Sequence, residues 1–185
     1  MRIIAGEYGG RPLASLPGTN TRPTGDKLKE TLFNLIGPYF RGGKVLDLYA
    51  GSGALGIEAV SRGMDEAVLV DRNRTATEVI QKNIQMTKEE SKFEVMKTTA
   101  DAALSQLGTR HEKFKLVFLD PPYEKQTIEQ DIAQLARLDL LDEVALVVCE
   151  TPKKITLPQE MGEVKVWKER IYGKIKLTIY QKGVE

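Results

Sequence analysis

The stretch VLDLYAGSGALG, residues 45–56, decides the fold of this chain. Its first half is a short apolar run that carries one acid, Asp47, and its second half is rich in glycine. This pattern predicts a buried strand over residues 45–49, a tight turn, and a helix over residues 55–62 that Gly63 ends as a C-cap. A strand that passes through a glycine turn into a helix is typical of α/β folds that bind a ligand at the turn.

Strands and helices alternate after this unit. Strands are predicted over residues 67–70, 93–96, 115–119 and 144–149, and helices over 75–86, 102–107 and 127–135. Such alternation is typical of a parallel sheet with helices on both faces. The chain then ends in two β-rich runs, 164–170 and 174–180, joined by a turn at Tyr172 and Gly173, which predicts an antiparallel hairpin. The sequence therefore predicts an α/β, Rossmann-like fold with a mostly parallel seven-stranded sheet and a C-terminal antiparallel hairpin, the build of class I methyltransferases.

The segment before this core is predicted to be a basic, substrate-binding extension. It covers residues 1–43, and the core covers residues 44–185 of the same domain. Within the extension, the predicted elements are short strands over residues 3–5 and 11–14 and a helix over 27–36. Residues 1–45 carry seven Lys and Arg against three Asp and Glu, whereas the whole chain has a net charge of +1. A basic extension can supply a phosphate-facing surface for a nucleic acid, and a merely solvated basic face is the alternative.

The composition is that of a globular protein, with 41% hydrophobic and 29% charged residues. The single cysteine, Cys149, cannot form an internal disulfide and is expected to be a small buried side chain at the end of a strand. The start has too short an apolar run for a signal peptide, and no run approaches the ~20 apolar residues of a membrane span. The single histidine, His111, lies in a polar run, and no Cys/His cluster predicts a metal site. We therefore expect a cytoplasmic protein that contacts no membrane and binds no metal.

The glycine turn has two functional interpretations. Gly51 and Gly53 begin the dinucleotide pattern G-x-G-x-x-G, and Asp71 follows Gly51 by 20 residues, where that pattern places a ribose-binding acid. Asp47, four residues before Gly51, instead fits the methyltransferase pattern D-x-x-x-G-x-G and would orient the ammonium group of S-adenosylmethionine. A glycine turn without a ligand is the structural alternative. The position of Asp47 favours S-adenosylmethionine, bound against the unpaired N–H groups at the start of the next helix.

Further residues near the strand ends are predicted to bind the same cofactor. Asp71 can accept hydrogen bonds from both ribose hydroxyls, and an N-cap role for the next helix is the alternative. Asp101 is expected to accept from the adenine amine, again with a helix N-cap as the alternative. Tyr49, at the end of the first predicted strand, and Arg72, beside Asp71, complete the predicted cofactor site together with Asp120.

The most specific feature is DPPY, residues 120–123, which follows an apolar strand. Asp120 and the carbonyl of Pro121 can accept both N–H bonds of an exocyclic base amine, which would aim its lone pair at the sulfonium methyl. Pro121 and Pro122 have a fixed φ and no N–H, so the loop is stiff. Tyr123 offers a flat ring on which an extruded base can stack. These residue types predict catalysis of amine methylation, and a proline turn that merely ends a strand is the structural alternative.

Several segments together resemble a known family. They are RIIAG at residues 2–6, TRPT at 21–24, KETLFN at 29–34 and LDLYAGSGALG at 46–56. With DPPY, they are similar to the 16S ribosomal RNA guanine-N2 methyltransferases of the small-subunit type, over nearly the whole chain. The resemblance implies methylation of one guanine N2 in assembled or assembling small ribosomal subunits, with the base flipped out. Members of that family carry Asp or Asn at the first position of the tetrapeptide and Tyr or Phe at the fourth, so Asp120 and Tyr123 fit.

The segment before the first helix and the identity of the acceptor allow more than one interpretation. Arg22 is a candidate phosphate contact and Thr24 a candidate substrate contact, with a helix cap as the alternative for Thr24. The DPPY chemistry suits adenine N6 in DNA or RNA equally well, and a protein glutamine amide is a further acceptor. A dinucleotide-binding oxidoreductase and a non-catalytic RNA-binding module are the alternatives of a different class. No feature predicts an obligate oligomer, so a monomer is expected.

Overall fold

The structure, a computed structural model, describes residues 1–18, 23–122 and 127–183, with only the backbone of residues 23 and 24. Within these residues the strands are β1 (Lys44–Asp47), β2 (Glu66–Val70), β3 (Phe93–Met96), β4 (Phe114–Leu119), β5 (Leu141–Pro152), β6 (Glu160–Met161), β7 (Val164–Tyr172) and β8 (Ile175–Lys182). The helices are α1 (Pro23–Ile36), α2 (Ala54–Ser61), α3 (Arg74–Thr87), α4 (Ala100–Thr109) and α5 (Ile128–Arg137). None of the helices in these ranges is both long and apolar enough to span a membrane.

The eight strands of the described residues form one mixed sheet with the order β3-β2-β1-β4-β5-β8-β7-β6. Strands β1 to β5 run parallel, because the connections between them cross over a face of the sheet. β8 lies antiparallel between β5 and β7. The predicted Rossmann-like fold of class I methyltransferases, with its C-terminal hairpin, is confirmed. The structure adds the two-residue β6 at the outer edge of β7, which is too short to give a periodic signal in the sequence.

The sheet separates two apolar layers, because alternate side chains of its strands point to opposite faces. On β4, Phe118 packs in the layer of Phe33 from α1 and Ile80 from α3. Its neighbours Val117 and Leu119 pack in the other layer, with residues of α4 and α5. The central strands are therefore mainly apolar, since both of their faces are covered.

The start of the chain differs from its prediction. Instead of strands over residues 3–5 and 11–14, residues 1–13 form a narrow loop with one isolated bridge between Arg2 and Pro12. Backbone hydrogen bonds flank this bridge on both sides. The Ile3 N–H donates to the Arg11 carbonyl, but the Ile3 carbonyl accepts from the Gly10 N–H, so two residues oppose one and the regular ladder is interrupted there.

A buried carboxylate fastens this segment to the core. Glu58 of α2 is fully buried, and its oxygens lie 3.1 Å from Lys29 Nζ and 2.7 Å from Arg62 Nε. The main-chain N–H groups of Ile4 and Ala5 donate to the same carboxylate at 2.9 and 3.2 Å. These cations and N–H groups offset the desolvation of the acid. The cluster therefore joins the amino-terminal segment, α1 and α2.

Part of the basic charge in the first 45 residues is used inside the fold. Lys29 is buried against Glu58, and the Arg11 guanidinium donates to two carbonyls at the end of α3, at 3.3 and 3.2 Å. Lys44 pairs with Glu112 at 2.7 Å. The segment therefore offers less positive surface than its charge count suggests, because a count cannot show which charges are already paired.

Replacing Glu58 with glutamine is expected to destabilise the protein strongly, because Lys29 and Arg62 would stay buried without a counter-charge. The free energy of unfolding should fall by about 3–5 kcal/mol, measured by urea denaturation followed by circular dichroism. Glu78→Gln is the matched control, since Glu78 pairs with Arg74 on an exposed face of α3 and should change stability by less than about 1 kcal/mol. Equal losses in the two variants would contradict the role assigned to the buried cluster.

Candidate active site

The carboxyl ends of four neighbouring strands meet at one edge of the sheet, and an acid lies near each of them. These acids are Asp47 at the end of β1, Asp71 after β2, Asp120 after β4 and Glu150 near the end of β5. The register of β4 and β5 places Leu119 opposite Cys149, so Asp120 and Glu150 are the next neighbours along the two strands. Ligands of open α/β sheets bind at this edge.

The glycine turn between β1 and α2 leaves room at this edge. Gly51 and Gly53 have φ values of 59° and 84°, a left-handed conformation that glycine adopts without strain. A Cβ at Gly51 would lie in nearly open space, with Leu16 Cδ1 as its nearest neighbour at 3.8 Å. Gly56 has a different role, because a Cβ there would collide with Leu69 Cδ2 and push α2 away from β2. The turn therefore gives a ligand access to its backbone and to the amino-terminal end of α2.

Asp47 lies at the base of the turn, with 2% of its surface exposed. Its Oδ2 accepts a hydrogen bond from the Gly56 N–H at 3.1 Å. Burial raises the pKa of this carboxyl to about 7, the Gly56 hydrogen bond opposes the shift, and the charge of Asp71 adds to it. A buried acid that is compensated only in part favours the binding of a cation beside it.

Asp71 clamps the glycine turn and does not cap a helix. Its Oδ2 accepts from the Gly51 N–H at 3.0 Å, and its Oδ1 accepts from the Asn73 N–H at 2.9 Å. The N-cap of α3 is Asn73, whose side chain accepts from the Ala76 N–H at 3.1 Å. The N-cap interpretation of Asp71 is therefore wrong, and the acid lies beside the open space at Gly51.

Asp101 and Arg72 are exposed residues near the same edge. Thr99 is the N-cap of α4, since its side-chain oxygen accepts from the Ala102 N–H at 3.2 Å. The N-cap interpretation of Asp101 is therefore also wrong. Asp101 lies in the first turn of α4, close enough to Tyr49 for its charge to act on that side chain. Both Asp101 and Arg72 stay predicted cofactor contacts.

A pair of side chains that was not predicted from the sequence ties the loop after β1 to α5. The Tyr49 hydroxyl donates to Asp131 Oδ2 at 2.7 Å, and Asp131 is buried. Burial raises the pKa of Asp131 to about 6, against the hydrogen bonds from Tyr49 and Thr127. The sequence does hold a signal for this contact, because Asp131 falls on the apolar face of α5 with Ile128 and Ile132. Tyr49 therefore holds the loop beside the glycine turn in place.

Asp120 and Glu150 form an acidic pair at the ends of β4 and β5. The register of β4 and β5 places the two side chains next to each other, so each carboxyl acts on the other. Loss of water around the carboxyl, and then the charge of Glu150, raise the pKa of Asp120 well above its ordinary value. Asp120 is exposed and Glu150 is half-buried, so the pair lies at the surface of the sheet edge and not in the core. Glu150 was not predicted, although it ends an apolar run much as Asp120 does.

Some predicted residues lie outside the described part of the chain. They are Arg22, Tyr123 and the side chain of Thr24. Pro121 and Pro122 follow Asp120 without regular secondary structure, the first half-buried and the second exposed. The structure therefore brings Asp120, Pro121 and the glycine turn to one edge of the sheet. The contacts of Arg22, Thr24 and Tyr123 stay predictions.

Cys149 and His111, for which no catalytic role is predicted, have the environments that the sequence predicts. Cys149 is fully buried, which raises the pKa of its thiol, so it behaves as a small core side chain. His111 is exposed on a turn before β4, at the opposite end of that strand from Asp120. Within the described ranges, no group of ligating side chains is arranged to hold a metal ion.

Asp47→Asn is expected to stabilise the ligand-free protein at high pH. The pKa of Asp47 is about 7 in the folded protein against 3.8 ordinarily, so the folded state loses stability as the pH rises from about 4 to about 7. Asparagine keeps the acceptor for Gly56 without the charge. The Tm at pH 8, measured by differential scanning calorimetry, should therefore rise by roughly 5–10 °C, and by less at pH 5.

Asp142→Asn, at the opposite end of β5, is the control for this experiment and should leave the Tm nearly unchanged. A Tm of Asp47→Asn at pH 8 that does not exceed that of the wild type would show that the buried charge is compensated after all.

The whole chain is similar to proteins of one family. The family described as "Conserved hypothetical protein 95" matches residues 1–181. The Bacillus subtilis (strain 168) protein named "Putative rRNA methyltransferase YlbH" is 39% identical, over 98% of this chain and 99% of its own length. The Escherichia coli (strain K12) protein named "Ribosomal RNA small subunit methyltransferase D" is 34% identical, over 100% of this chain and 91% of its own length.

A solved structure shows the same architecture. It is described as "Putative methyltransferase yhhF from Escherichia coli", and it superposes on this chain with a TM-score of 0.85 at 32% identity. The superposition covers 100% of this chain and 99% of that chain. The chain therefore belongs to the family described as "Conserved hypothetical protein 95", and its resemblance to the small-subunit ribosomal RNA methyltransferases is confirmed.

Proposed function

We propose that this protein transfers a methyl group from S-adenosylmethionine to the exocyclic N2 amine of a guanine in 16S ribosomal RNA of the small subunit. The observation that carries the proposal is the meeting of two turns at one sheet edge, the glycine turn after β1 and the acid-proline-proline turn after β4. Because β1 and β4 pair directly, these turns begin about 5 Å apart. Two relatives named as rRNA methyltransferases, similar over nearly the full length, support RNA as the substrate.

The residues of the glycine turn fit S-adenosylmethionine. Open space at Gly51 admits a ligand, and the amino-terminal end of α2 has no side-chain cap, so its N–H groups can receive the methionine carboxylate. Asp47 would hold the ammonium group, directly or through water, and that cation would favour its ionised form. Asp71 has lone pairs left for the ribose hydroxyls, and Asp101 would accept from the adenine amine. When bound, the cofactor supplies an electrophilic methyl group on a sulfonium sulfur.

The turn after β4 would hold and orient the target amine. An exocyclic amine is a weak nucleophile, because its lone pair is delocalised into the ring. Asp120 and the main-chain carbonyl of Pro121 would each accept one N–H bond, and Tyr123 would stack on the flipped base. The amine nitrogen so held would form the new N–C bond while the bond between the methyl carbon and sulfur breaks, and the methylated amine would then release a proton to water. Positioning would supply most of the rate enhancement.

The family relationship favours a guanine in small-subunit rRNA over adenine N6 and over a protein glutamine, since the relatives named above are rRNA methyltransferases. The substrate would be 16S rRNA in the small subunit or in an assembly intermediate, with Arg22 and Thr24 on the substrate side. The protein would then act in the cytoplasm, where ribosomes are assembled, and as a monomer.

The direct test is methyl transfer from radiolabelled S-adenosylmethionine to small ribosomal subunits that lack the modification, followed by digestion to nucleosides. We expect label in N2-methylguanosine. Asp120→Ala should lower kcat/KM by at least about 100-fold, because the amine would lose an acceptor that orients it. Asp142→Ala removes an acid from the opposite end of β5 and should react at nearly the wild-type rate. Thermal melting of both variants shows whether they are folded.

Other outcomes of this experiment would contradict parts of the proposal. Label in N6-methyladenosine would keep the chemistry and exclude guanine as the acceptor. Tight binding of S-adenosylhomocysteine without transfer to any nucleic acid would exclude RNA as the substrate. Binding of NAD in place of S-adenosylhomocysteine would instead support the oxidoreductase.

The acidic pair generates a prediction for the pH dependence of the reaction. Loss of water and the charge of Glu150 raise the pKa of Asp120, so its acceptor form is complete only above that raised pKa. Glu150→Gln removes the charge and keeps the shape, so the acid limb of kcat/KM is expected to move to lower pH. Glu160→Gln alters an exposed pair with Lys165 and should leave the profile in place. An acid limb at the same pH in Glu150→Gln and in the wild type would show that Glu150 does not influence the reaction.

A further inference from the structure

A basic surface lies at the end of the C-terminal hairpin. It consists of four exposed side chains, Lys153, Lys154, Arg170 and Lys174, here called the hairpin patch. Lys153 and Lys154 follow β5, Arg170 is near the end of β7, and Lys174 lies in the turn to β8. The Lys153 N–H donates to the Lys174 carbonyl at 2.8 Å, so the two segments are held together.

The hairpin patch shares its sheet edge with Asp120. β5 runs parallel to β4 and antiparallel to β8, so the β7–β8 turn lies at the carboxyl end of both β4 and β5. In register, Leu177 lies opposite both Glu150 on β5 and Arg170 on β7. Because Glu150 is also the neighbour of Asp120, Arg170 lies in the same row across the sheet, three strand spacings or about 14 Å from Asp120.

The cations of the hairpin patch lack acidic partners. None of them forms an ion pair with an acid in the parts of the chain that the structure describes. At the other end of the same hairpin, Lys165 pairs with Glu160 at 3.8 Å and Lys182 pairs with Glu163 at 3.2 Å. Within this hairpin, the unpaired charge is therefore concentrated at the end that lies beside the candidate active site. Clustered cations of this kind produce a positive potential that attracts a polyanion.

We propose that the hairpin patch binds the phosphate backbone of the RNA strand that carries the target base. This inference rests on the proposed rRNA substrate and adds where the RNA lies on the protein. A base held at Asp120 stays attached to its strand, so phosphates a few nucleotides away come within reach of Arg170 and Lys174. Contacts to phosphates position a nucleic acid without reading its sequence.

The amino-terminal extension is the other basic segment, and it is less suited to this role. Arg11 is bound to carbonyls of α3, Lys29 is buried, and Lys44 is paired with an acid. The exposed cations of its described part are Arg2, Lys27 and Arg41, which are not gathered at the edge that carries Asp120. The hairpin patch keeps its charges exposed, and it is continuous with the edge that carries Asp120. Charge and position together therefore favour the hairpin as the principal phosphate-binding surface.

The test compares two triple variants of the full chain. The patch variant is Lys153→Gln, Arg170→Gln and Lys174→Gln. The control variant, Lys82→Gln, Lys115→Gln and Arg137→Gln, removes exposed cations of the same types away from this edge. The patch variant should raise the KM for small ribosomal subunits at least tenfold near 0.15 M salt, with kcat within twofold of the wild type. The slope of log KM against log salt should fall by about 2, since each single-strand phosphate contact contributes about 0.7.

The control variant should keep both the KM and the salt slope of the wild type. A charge-preserving variant, Lys153→Arg, Arg170→Lys and Lys174→Arg, should also keep both values. If binding instead required the exact shapes of these side chains, this variant would raise the KM as well. An unchanged KM and slope in the patch variant, or an equal rise of KM in the control, would overturn the proposal.

Binding of protein-free 16S rRNA, measured by filter retention, separates the remaining outcomes. Weaker binding by the patch variant alone supports the proposal, even if the wild-type protein transfers no methyl group and the proposed function itself fails. A raised KM for subunits with unchanged binding of protein-free rRNA would overturn it, because the patch would then contact a ribosomal protein.

Discussion

The close packing of α2 on the sheet is the constraint on which the rest of the structure depends. α2 can approach β2 only because Gly56 lacks a Cβ, which would collide with Leu69. The same approach brings the Gly56 N–H within 3.1 Å of Asp47, so the end of β1 and the first turn of α2 form one unit. Further along the helix, Glu58 and Ser61 accept hydrogen bonds from the backbone of the amino-terminal segment. One helix position therefore supports both the glycine turn and the segment that precedes the core.

Buried acids have two different environments in this protein. Glu58 is surrounded by cations and N–H groups, so its charge is compensated and it joins three segments of the fold. Asp47 is compensated only in part, and burial raises its pKa to about 7. The environment of Glu58 stabilises the fold, whereas that of Asp47 favours the binding of a cation at the candidate site. Perturbed acids of the second kind are typical of functional sites.

The basic residues likewise fall into two groups, those whose side chains bond to other groups of the fold and those that stay exposed without an ion pair. Their position in the sequence does not show to which group they belong. The basic residues near the start of the chain include several that hold the fold together, such as Arg11 and Lys29. The exposed and unpaired cations beside the candidate site come instead from the last third of the chain, at Lys153, Arg170 and Lys174. A linear charge count therefore does not show which cations remain available to a ligand, because it cannot show burial or pairing.

The sequence by itself determined the elements and their order, because apolar periodicity and the geometry of glycine and proline act over a few residues. The strand-turn-helix unit at residues 45–61, the parallel core with its reversed final strands, and the acids at the ends of β1 and β4 all follow from such local signals. The tertiary structure decided the pairs between distant residues, namely Glu150 with Asp120, Asp131 with Tyr49 and Glu58 with Lys29. It also replaced two predicted strands near the start with a loop. A local pattern can mark one residue of such a pair, as the apolar face of α5 marks Asp131, but it does not identify the partner, since register and burial arise only when distant segments pack together.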